Sequence, residues 1–569
     1  MAVNKIFCEE KFKTMLGAST VGMVIPILTM IANAVIVGNI LGEKALSAMN
    51  VFIPLLTFFT GLSDIVSIGT CYVYSYKIGQ AKKQEANQIF GEGLIISLFL
   101  SVFAYILSNL SINTYLSFLG TSPEITQYTL ECFRYYQYVI ALYPFFFLLS
   151  DLVLTDGDEF CTYLSNIILL IGNIGISIIA CCKMGIAGVG LGAFIGTAGA
   201  TLALGIHFFK KSNSLRPELF FSLKSVAELV KFSIIDAGLY LYIGIQTFIL
   251  DKFVIQEFGD FYLPVLTLVI NVIQITIIFD GIGQAMTPLV NVYLGEKNNP
   301  GIKKVMGIST KTAIAEGLIA TMILFAFAGL IPLAFDITSS ELQQCSTTAL
   351  RIICPTLFCT SLLFLFSSYY LVKQLFKHTM FLCFIKDLAA PITCAMVCRD
   401  IWGFNGLWIG LAIAPVFTII VGFISTKLVF PKKQFPLLLE NNEAIIHSFD
   451  IILNPENIIT VQRKIEEILE QSNASLKTRI QLSLLIEELC MLIMEKNGNQ
   501  EILSEISVFI DKDVKLIIRD NGVIFDITSE NSAMDSFRGY FVKNMMQHQE
   551  DKMNLTTTSY NRNFFILPL

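Results

Sequence analysis

The sequence predicts an all-α polytopic membrane protein, with twelve transmembrane helices in two pseudo-symmetric six-helix lobes and a C-terminal soluble α/β sandwich behind them. Three observations lead there. The chain is 54% hydrophobic and 15% charged over its 569 residues, with a mean hydropathy of +0.66, whereas soluble domains are about a quarter charged. Apolar stretches of about 20 residues, long enough to cross a bilayer, recur along most of the chain. Behind Pro436 the composition changes, with dense charges and periodic apolar residues.

Thr14 to Gly42, Gly93 to Pro123, Phe160 to Cys182, Met184 to Phe209 and Ile401 to Thr426 are such stretches, each fenced by charged residues. Lipid leaves no loose backbone group satisfied, so each reads as a helix. Spans are placed near 15 to 40, 46 to 76, 90 to 112, 133 to 155, 160 to 182 and 186 to 209, then 230 to 256, 262 to 293, 310 to 335, 347 to 372, 380 to 399 and 404 to 430. An even count puts both termini on one side. The connections there carry Lys5, Lys11, Lys13, Lys82, Lys83, Lys210, Lys211, Arg216, Lys224, Lys297, Lys303, Lys304, Lys373, Lys377, Lys432 and Lys433. By the positive-inside rule that side is cytoplasmic, in a bacterial inner membrane. The charged segment Met1 to Lys13 lacks an apolar signal core, so the first span is expected to stay.

A net charge of -6 without any basic stripe excludes a nucleic-acid partner. The 13 cysteines lie mostly inside apolar runs, without zinc or disulfide spacing, and read as free thiols.

The chain repeats itself. Gly185-Ile-Ala-Gly188-Val-Gly-Leu-Gly192 is echoed by Gly403-Phe-Asn-Gly406-Leu-Trp-Ile-Gly410, three glycines in register at the start of spans six and twelve. Gly79-Gln-Ala-Lys-Lys likewise matches Gly295-Glu-Lys-Asn-Asn, and at the same offset Asp64 falls on Asp280. Two lobes of the same orientation follow, related by an axis along the membrane normal. The expected divisions are 1–215, 216–435 and 436–569.

Pro26, Ile36-Val37-Gly38, Leu41-Gly42, Ala45-Leu46-Ser47-Ala48, Asp156-Gly157-Asp158, Gln284-Ala285-Met286-Thr287-Pro288 and Gly295-Glu-Lys-Asn resemble, in that order, the MATE family of multidrug and toxic-compound extrusion transporters, over residues 10 to 430. The resemblance implies a V-shaped bundle exporting bulky, often cationic or aromatic compounds against protons or sodium. It implies no other cofactor. The family's acidic residue in span one is replaced here by Asn33, and that in span five by Ser177, after Asn173. An amide or hydroxyl coordinates a ligand but does not trade a proton near neutral pH. Coupling then falls to the second lobe or to Asp64. Ionisable residues within spans are expensive, which marks Asp64, Asp151, Asp236, Asp251, Asp280, Glu316 and Asp387 as candidates. The transport or ion-coupling set is Asn33, Asp64, Asn173, Asp236, Asp280 and Gln284. Asp64 and Asp280 read as an ion site at the repeat interface, or as helix-to-helix hydrogen-bonding residues.

In the tail, Asn454-Pro455-Glu456 starts a helix whose apolar face is Ile458, Ile465, Ile468 and Leu469, and a second helix runs from Ser475 to Lys496. Alternation at Ile506, Val508, Ile510 and at Val514, Leu516, Ile518 gives a hairpin. Ser536 to Gln547 reads as helix, and Leu555 to Ser559 with Phe564 to Leu567 as a closing hairpin. Arg519-Asp520-Asn521-Gly522 after a strand, behind a helix bearing Glu487-Glu488, resembles the GHKL ATPase fold of histidine kinases and anti-sigma-factor kinases. That resemblance gives Asp520 the adenine amino group, Gly522 the close approach of the base and Glu488 the activation of water. Asn521 and Gly539 complete the nucleotide set. The alternative is a strand-ending turn with positive backbone angles at Asn521-Gly522. Leu492 stands where the family has a magnesium-binding Asn, and only Gly539 remains of the glycine-rich lid in Phe537-Arg538-Gly539-Tyr540, so ATP turnover is not expected.

The leading expectation is an exporter with a small-molecule substrate in a lipid bilayer, whose degenerate ATPase-like tail regulates it or docks a cytoplasmic protein. Its rivals are a lipid-linked precursor flippase and a non-pumping membrane receptor that signals through the tail.

Overall fold

The computed structural model describes residues 7–41, 43–80, 82–119, 123–210, 213–218, 220–259, 262–334, 339–440, 444–498, 500–525, 538, 542, 553–556 and 560–569. The side chains of Asp236 and Asp251 and the segment expected as a helix from Ser536 to Gln547 lie outside the described residues, apart from Arg538 and Val542. Six helices come first: α1 Phe7–Leu41, α2 Glu43–Gly79, α3 Lys83–Leu119, α4 Pro123–Thr155, α5 Glu159–Met184 and α6 Ala187–Gly205. The next group is α7 Leu223–Phe258, α8 Leu263–Ile275, α9 Asp280–Gly295, α10 Asn299–Phe327, α11 Ile331–Ala334, α12 Ser340–Ile353, α13 Leu357–Val372, α14 Phe376–Phe384 and α15 Ala390–Val429. Among the described residues, nine helical segments are long and apolar enough to cross a membrane.

Local chemistry sets the boundaries. The helix expected over 310 to 335 begins earlier, at Asn299, because the Asn298 side chain accepts from the Gly301 amide at 2.9 Å and Pro300 suits a first turn. Asp158 caps α5 in the same way, accepting from Cys161 N at 3.2 Å. A 3-10 turn over Thr276–Phe279 joins α8 to α9, and a π turn over Ile385–Ala389 joins α14 to α15. The repeat is visible in the backbone. Gly185 has φ 63° and ψ -146°, and its counterpart Gly403 has φ 61° and ψ -140°, a region that only glycine occupies without strain.

At one end of the bundle the two groups of helices share a single apolar core, with Phe12 and Met15 of α1, Tyr74 and Ile78 of α2, Ile282 and Val290 of α9 and Tyr369 of α13. At the opposite end the cores separate. One holds Val37, Phe52, Phe133 and Val139, the other Leu250, Val265, Leu350 and Trp408. At the joined end the last residues of α2 and α9 cross in backbone contact. A Cβ added at Gly295 would fall 2.5 Å from the Gly79 carbonyl carbon and 2.7 Å from Gln80 N.

The tail docks on this joined end, called the tail side below. Its five-stranded antiparallel sheet has the order β1-β2-β3-β5-β4, with β1 Ile445–Ile452, β2 Leu503–Ile510, β3 Asp513–Asp520, β4 Met553–Thr556 and β5 Asn561–Pro568. β1 was not expected, since Ile445-Ile446-His-Ser-Phe449 breaks strict alternation. Helices α16 Pro455–Gln471 and α17 Leu476–Asn497 are capped by Asn454 and Ser475 and cover one sheet face through Ile458, Ile465, Leu485 and Leu489. Every residue of β2 is buried, because its other face lies against the bundle. The linker is stitched to α13, where Tyr369 and Tyr370 donate to the carbonyls of Leu437 at 2.7 Å and Pro436 at 3.1 Å. All 13 cysteines are free.

Candidate functional site

In the first group of helices, Asn33 and Asn173 meet. The Asn33 Nδ2 donates to Asn173 Oδ1 at 3.1 Å, and Ser177 Oγ approaches the same oxygen at 3.5 Å. All three side chains are buried, and the Asn33 Oδ1 has no partner among the described residues. This is an amide and hydroxyl cluster able to accept or donate hydrogen bonds but not to carry a proton near neutral pH.

Asp64 and Asp280 match in register and differ in setting. Asp64 lies within an unbroken α2 and is half-buried. Asp280 opens α9 after the 3-10 turn, and its Oδ2 accepts from Gln284 Nε2 at 3.4 Å. Asp280 thus lies where the helix changes from 3-10 to α, its amide bonded to the carbonyls of Ile277 and Ile278, whereas Asp64 lies inside regular α-helix.

Two features escaped the sequence-based set. Asp151 of α4, named only among the in-span carboxylates, accepts from Ser67 Oγ of α2 at 2.6 Å and lies within electrostatic reach of Asp280 in the other group of helices. On the π turn, Lys386 and Asp387 pair at 3.3 Å, their side chains 8% and 12% exposed. The Lys386 ammonium also sits 3.8 Å from the Phe364 ring centroid. Lys386 lies within electrostatic reach of Asp280. Asp280 and Asp387 thus share one ammonium, with Asp151 in reach of Asp280, and the surplus negative charge of the group favours a bound cation or proton. The adjacent Lys-Asp dipeptide in an apolar run was the only signal for the pair, and a π turn is a frequent mark of function.

Toward the tail side, His207 Nδ1 and Lys210 Nζ both bond Asp158, at 2.8 and 2.7 Å, while His207 Nε2 lies 3.0 Å from Asp156. Burial opposes ionisation of Asp158, but the hydrogen bonds from His207 and Lys210 outweigh it and hold its carboxyl well below the usual range. Ser214 also bonds Asp156.

In the tail, Asp520 is fully buried, and its Oδ1 accepts from Asn561 Nδ2 at 2.8 Å and Gly522 N at 3.1 Å. Burial pushes its carboxyl up to about 7 against those two bonds. The positive backbone angles expected at Asn521-Gly522 are absent. Gly522 is required for another reason, since a Cβ there would lie 2.6 Å from Asn497 Nδ2. Asn521 closes the sheet, its Oδ1 accepting from Leu503 N at 2.8 Å. Glu488 pairs with Arg538 at 3.4 Å and makes no described contact with Asp520. Leu492 is buried in the tail core, and Gly539 lies outside the described residues. No group of three or more potential metal ligands occurs among the described residues.

Between tail and bundle lies an ionic cluster that the sequence did not announce. Arg562 Nη2 pairs with Glu296 at 2.6 Å, and its Nη1 and Nη2 donate to the carbonyls of Ile78 at 3.1 Å and Gly79 at 3.3 Å. Arg519 pairs with both Glu296 oxygens and with Glu505 Oε2, the latter at 2.9 Å, and lies 4.8 Å from the Tyr293 ring centroid. Tyr293 donates to Glu505 at 2.7 Å. The four charged side chains are at most 3% exposed. Lys304 pairs with Asp450 nearby.

The MatE family model matches residues 18–180 and 245–393. No curated protein matches the chain. Solved structures do. A MOP superfamily transporter from Pyrococcus furiosus, described as having a binding pocket of reverse polarity, is 19% identical over 74% of this chain and 96% of its own, with TM-score 0.69. An outward-facing multidrug resistance MATE family transporter of that superfamily is 19% identical over the same shares, with TM-score 0.68. A MATE structure in the bent conformation is 19% identical over 75% of this chain and 98% of its own, with TM-score 0.67.

Proposed function

This chain belongs to the MatE family of transporters, and from that premise we propose that it is a twelve-span secondary antiporter. It exports organic, cationic or aromatic compounds by alternating access. The divisions at 1–215, 216–435 and 436–569 are the two lobes and a regulatory or docking tail related to the GHKL ATPases. It lies in a bacterial inner membrane with both termini cytoplasmic. The observation that carries this reading is the group formed by Asp151, Asp280, Lys386 and Asp387, which draws carboxylates from both halves into the bundle. Ions entering such a site would neutralise its surplus negative charge, and an organic cation would compete for the same charge. The gradient would be of protons or sodium. Separate cores at the end opposite the tail support an outward-open resting state.

Flux of an organic cation in proteoliposomes under imposed proton and sodium gradients tests the reading. Uptake that ignores both gradients would sink it. Asn33 and Ser177, which stand where the family's first-lobe carboxylates would be and meet at Asn173 Oδ1, favour a second reading, the non-pumping receptor. In that case no flux appears under any gradient.

A further inference from the structure

Alternating access requires the tail-side ends of the two halves to part. Those ends are Gly79, closing α2, and Gly295, closing α9, and their backbones touch. Arg562 of the tail is bonded to both sides of this joint. Toward the first half it donates to the carbonyls of Ile78 and Gly79, which have no partners within their own helix and stand at its negative end. Toward the second half it pairs with Glu296, the residue after Gly295. Across the sheet, Arg519 stands opposite Arg562 and takes the remaining valence of Glu296, balanced in turn by Glu505. The cluster holds two arginines and two glutamates and is sealed from water, so parting one member from the rest leaves a charge buried without its partner.

The attachments of the tail to the two halves are unequal. The second half holds it through the linker at Tyr369 and Tyr370, through Tyr293–Glu505 and through Lys304–Asp450. The first half holds it through Arg562 and through the start of α1, where Phe7 N donates to Asp450 at 3.0 Å, Phe7 meets Tyr560 edge-to-face at 5.7 Å and Asn521 Nδ2 approaches Glu10 at 3.5 Å. A parting of the halves breaks the second set and spares the first.

We propose that the tail is a latch. It rides on the second half, clasps the ends of α1 and α2 in the first, and must release them each time the transporter opens to the tail side. The latch rests on the alternating-access reading given above. What it adds is a set of named contacts, with Arg562 as the bolt.

Two experiments on the full chain test it. In the first, nitroxide labels are placed by unnatural amino acids at Gln84 in the first half and at exposed Lys303 in the second, and their distance is read by double electron–electron resonance. Arg562→Met is expected to raise the population open to the tail side at least tenfold, and an unchanged distance distribution overturns the proposal. In the second, which does not depend on that variant folding, Glu10→Cys and Asn521→Cys are joined by a disulfide. Flux in proteoliposomes is expected to stop while the bond is closed and to return on reduction. Undiminished flux with the bond closed overturns the latch and leaves the transporter reading intact. Absence of flux in the parent chain under every gradient overturns both.

Discussion

Replacing Gly295 by alanine should open the tail side. The new Cβ would lie 2.5 Å from the Gly79 carbonyl carbon, 2.6 Å from its Cα and 2.7 Å from Gln80 N. All three are backbone atoms, so no side chain can swing aside, and the ends of α2 and α9 must separate by about 1 Å to reach ordinary contact. Overpacking of this kind costs about 1–3 kcal/mol. The strain exists only while the two ends touch, whereas the intrinsic helix gain of alanine over glycine, about 0.5–1 kcal/mol, is common to both states and cancels. The ratio of open to closed should therefore rise by about 5- to 150-fold. Gly307→Ala in α10 is the control, since nothing lies within 4 Å of its added Cβ. Distances between labels at Gln84 and Lys303 read the populations. Equal shifts in both variants, or none in either, would refute the reasoning.

Three further outcomes are expected. Asp280→Asn should abolish gradient-driven export while Asn33→Ala only weakens it, and unchanged efflux in the Asp280 variant would reject the assignment. Asp520, raised to about 7 by burial, prefers its proton in the folded tail. Its stabilisation is complete below the ordinary carboxylate value of about 4 and is lost as the pH rises to about 7. Thermal unfolding of the full chain should therefore show a tail transition that falls between about pH 4 and pH 7, and Asp520→Asn should flatten it, by at most about 4 kcal/mol at about 1.4 kcal/mol per pH unit. On the proposed kinship of the tail with the GHKL ATPases, calorimetric titration of the full chain with magnesium and ATP should show no micromolar binding accompanied by turnover, because Leu492, at that family's metal-ligand position, is buried in the tail core.

What could be read from the residues alone follows from which signals are local. The glycines at 185 and 403 were legible because a backbone angle that only glycine tolerates leaves its mark at one position in each half. The register of Asp64 with Asp280 was legible too, but the 3-10 break ahead of Asp280 has no proline or glycine to announce it, so the two environments could not be told apart. Asp387 was named as an in-span carboxylate but its pairing with Lys386 was not, because neighbouring opposite charges ordinarily mark a membrane edge, and here a π turn carries them into the bundle. The second face of the sheet went unread for a related reason. Alternation in β2 correctly set Ile506, Val508 and Ile510 inward, and Glu505 and Ser507 then look solvent-facing until the bundle covers them. Burial by another domain writes no pattern into a strand.

Neighbouring residues of a strand look to opposite sides of the sheet, and β5 begins with such a pair. Asn561 grips Asp520 on the helix-covered side, and Arg562 grips both halves of the transporter on the other. The same rung of the ladder joins Asp520 to Asn561 as the preceding one joins Arg519 to Arg562. The tail's grip on its own buried carboxylate and its grip on the bundle are thus held by two consecutive residues, one peptide unit apart on opposite faces of the sheet.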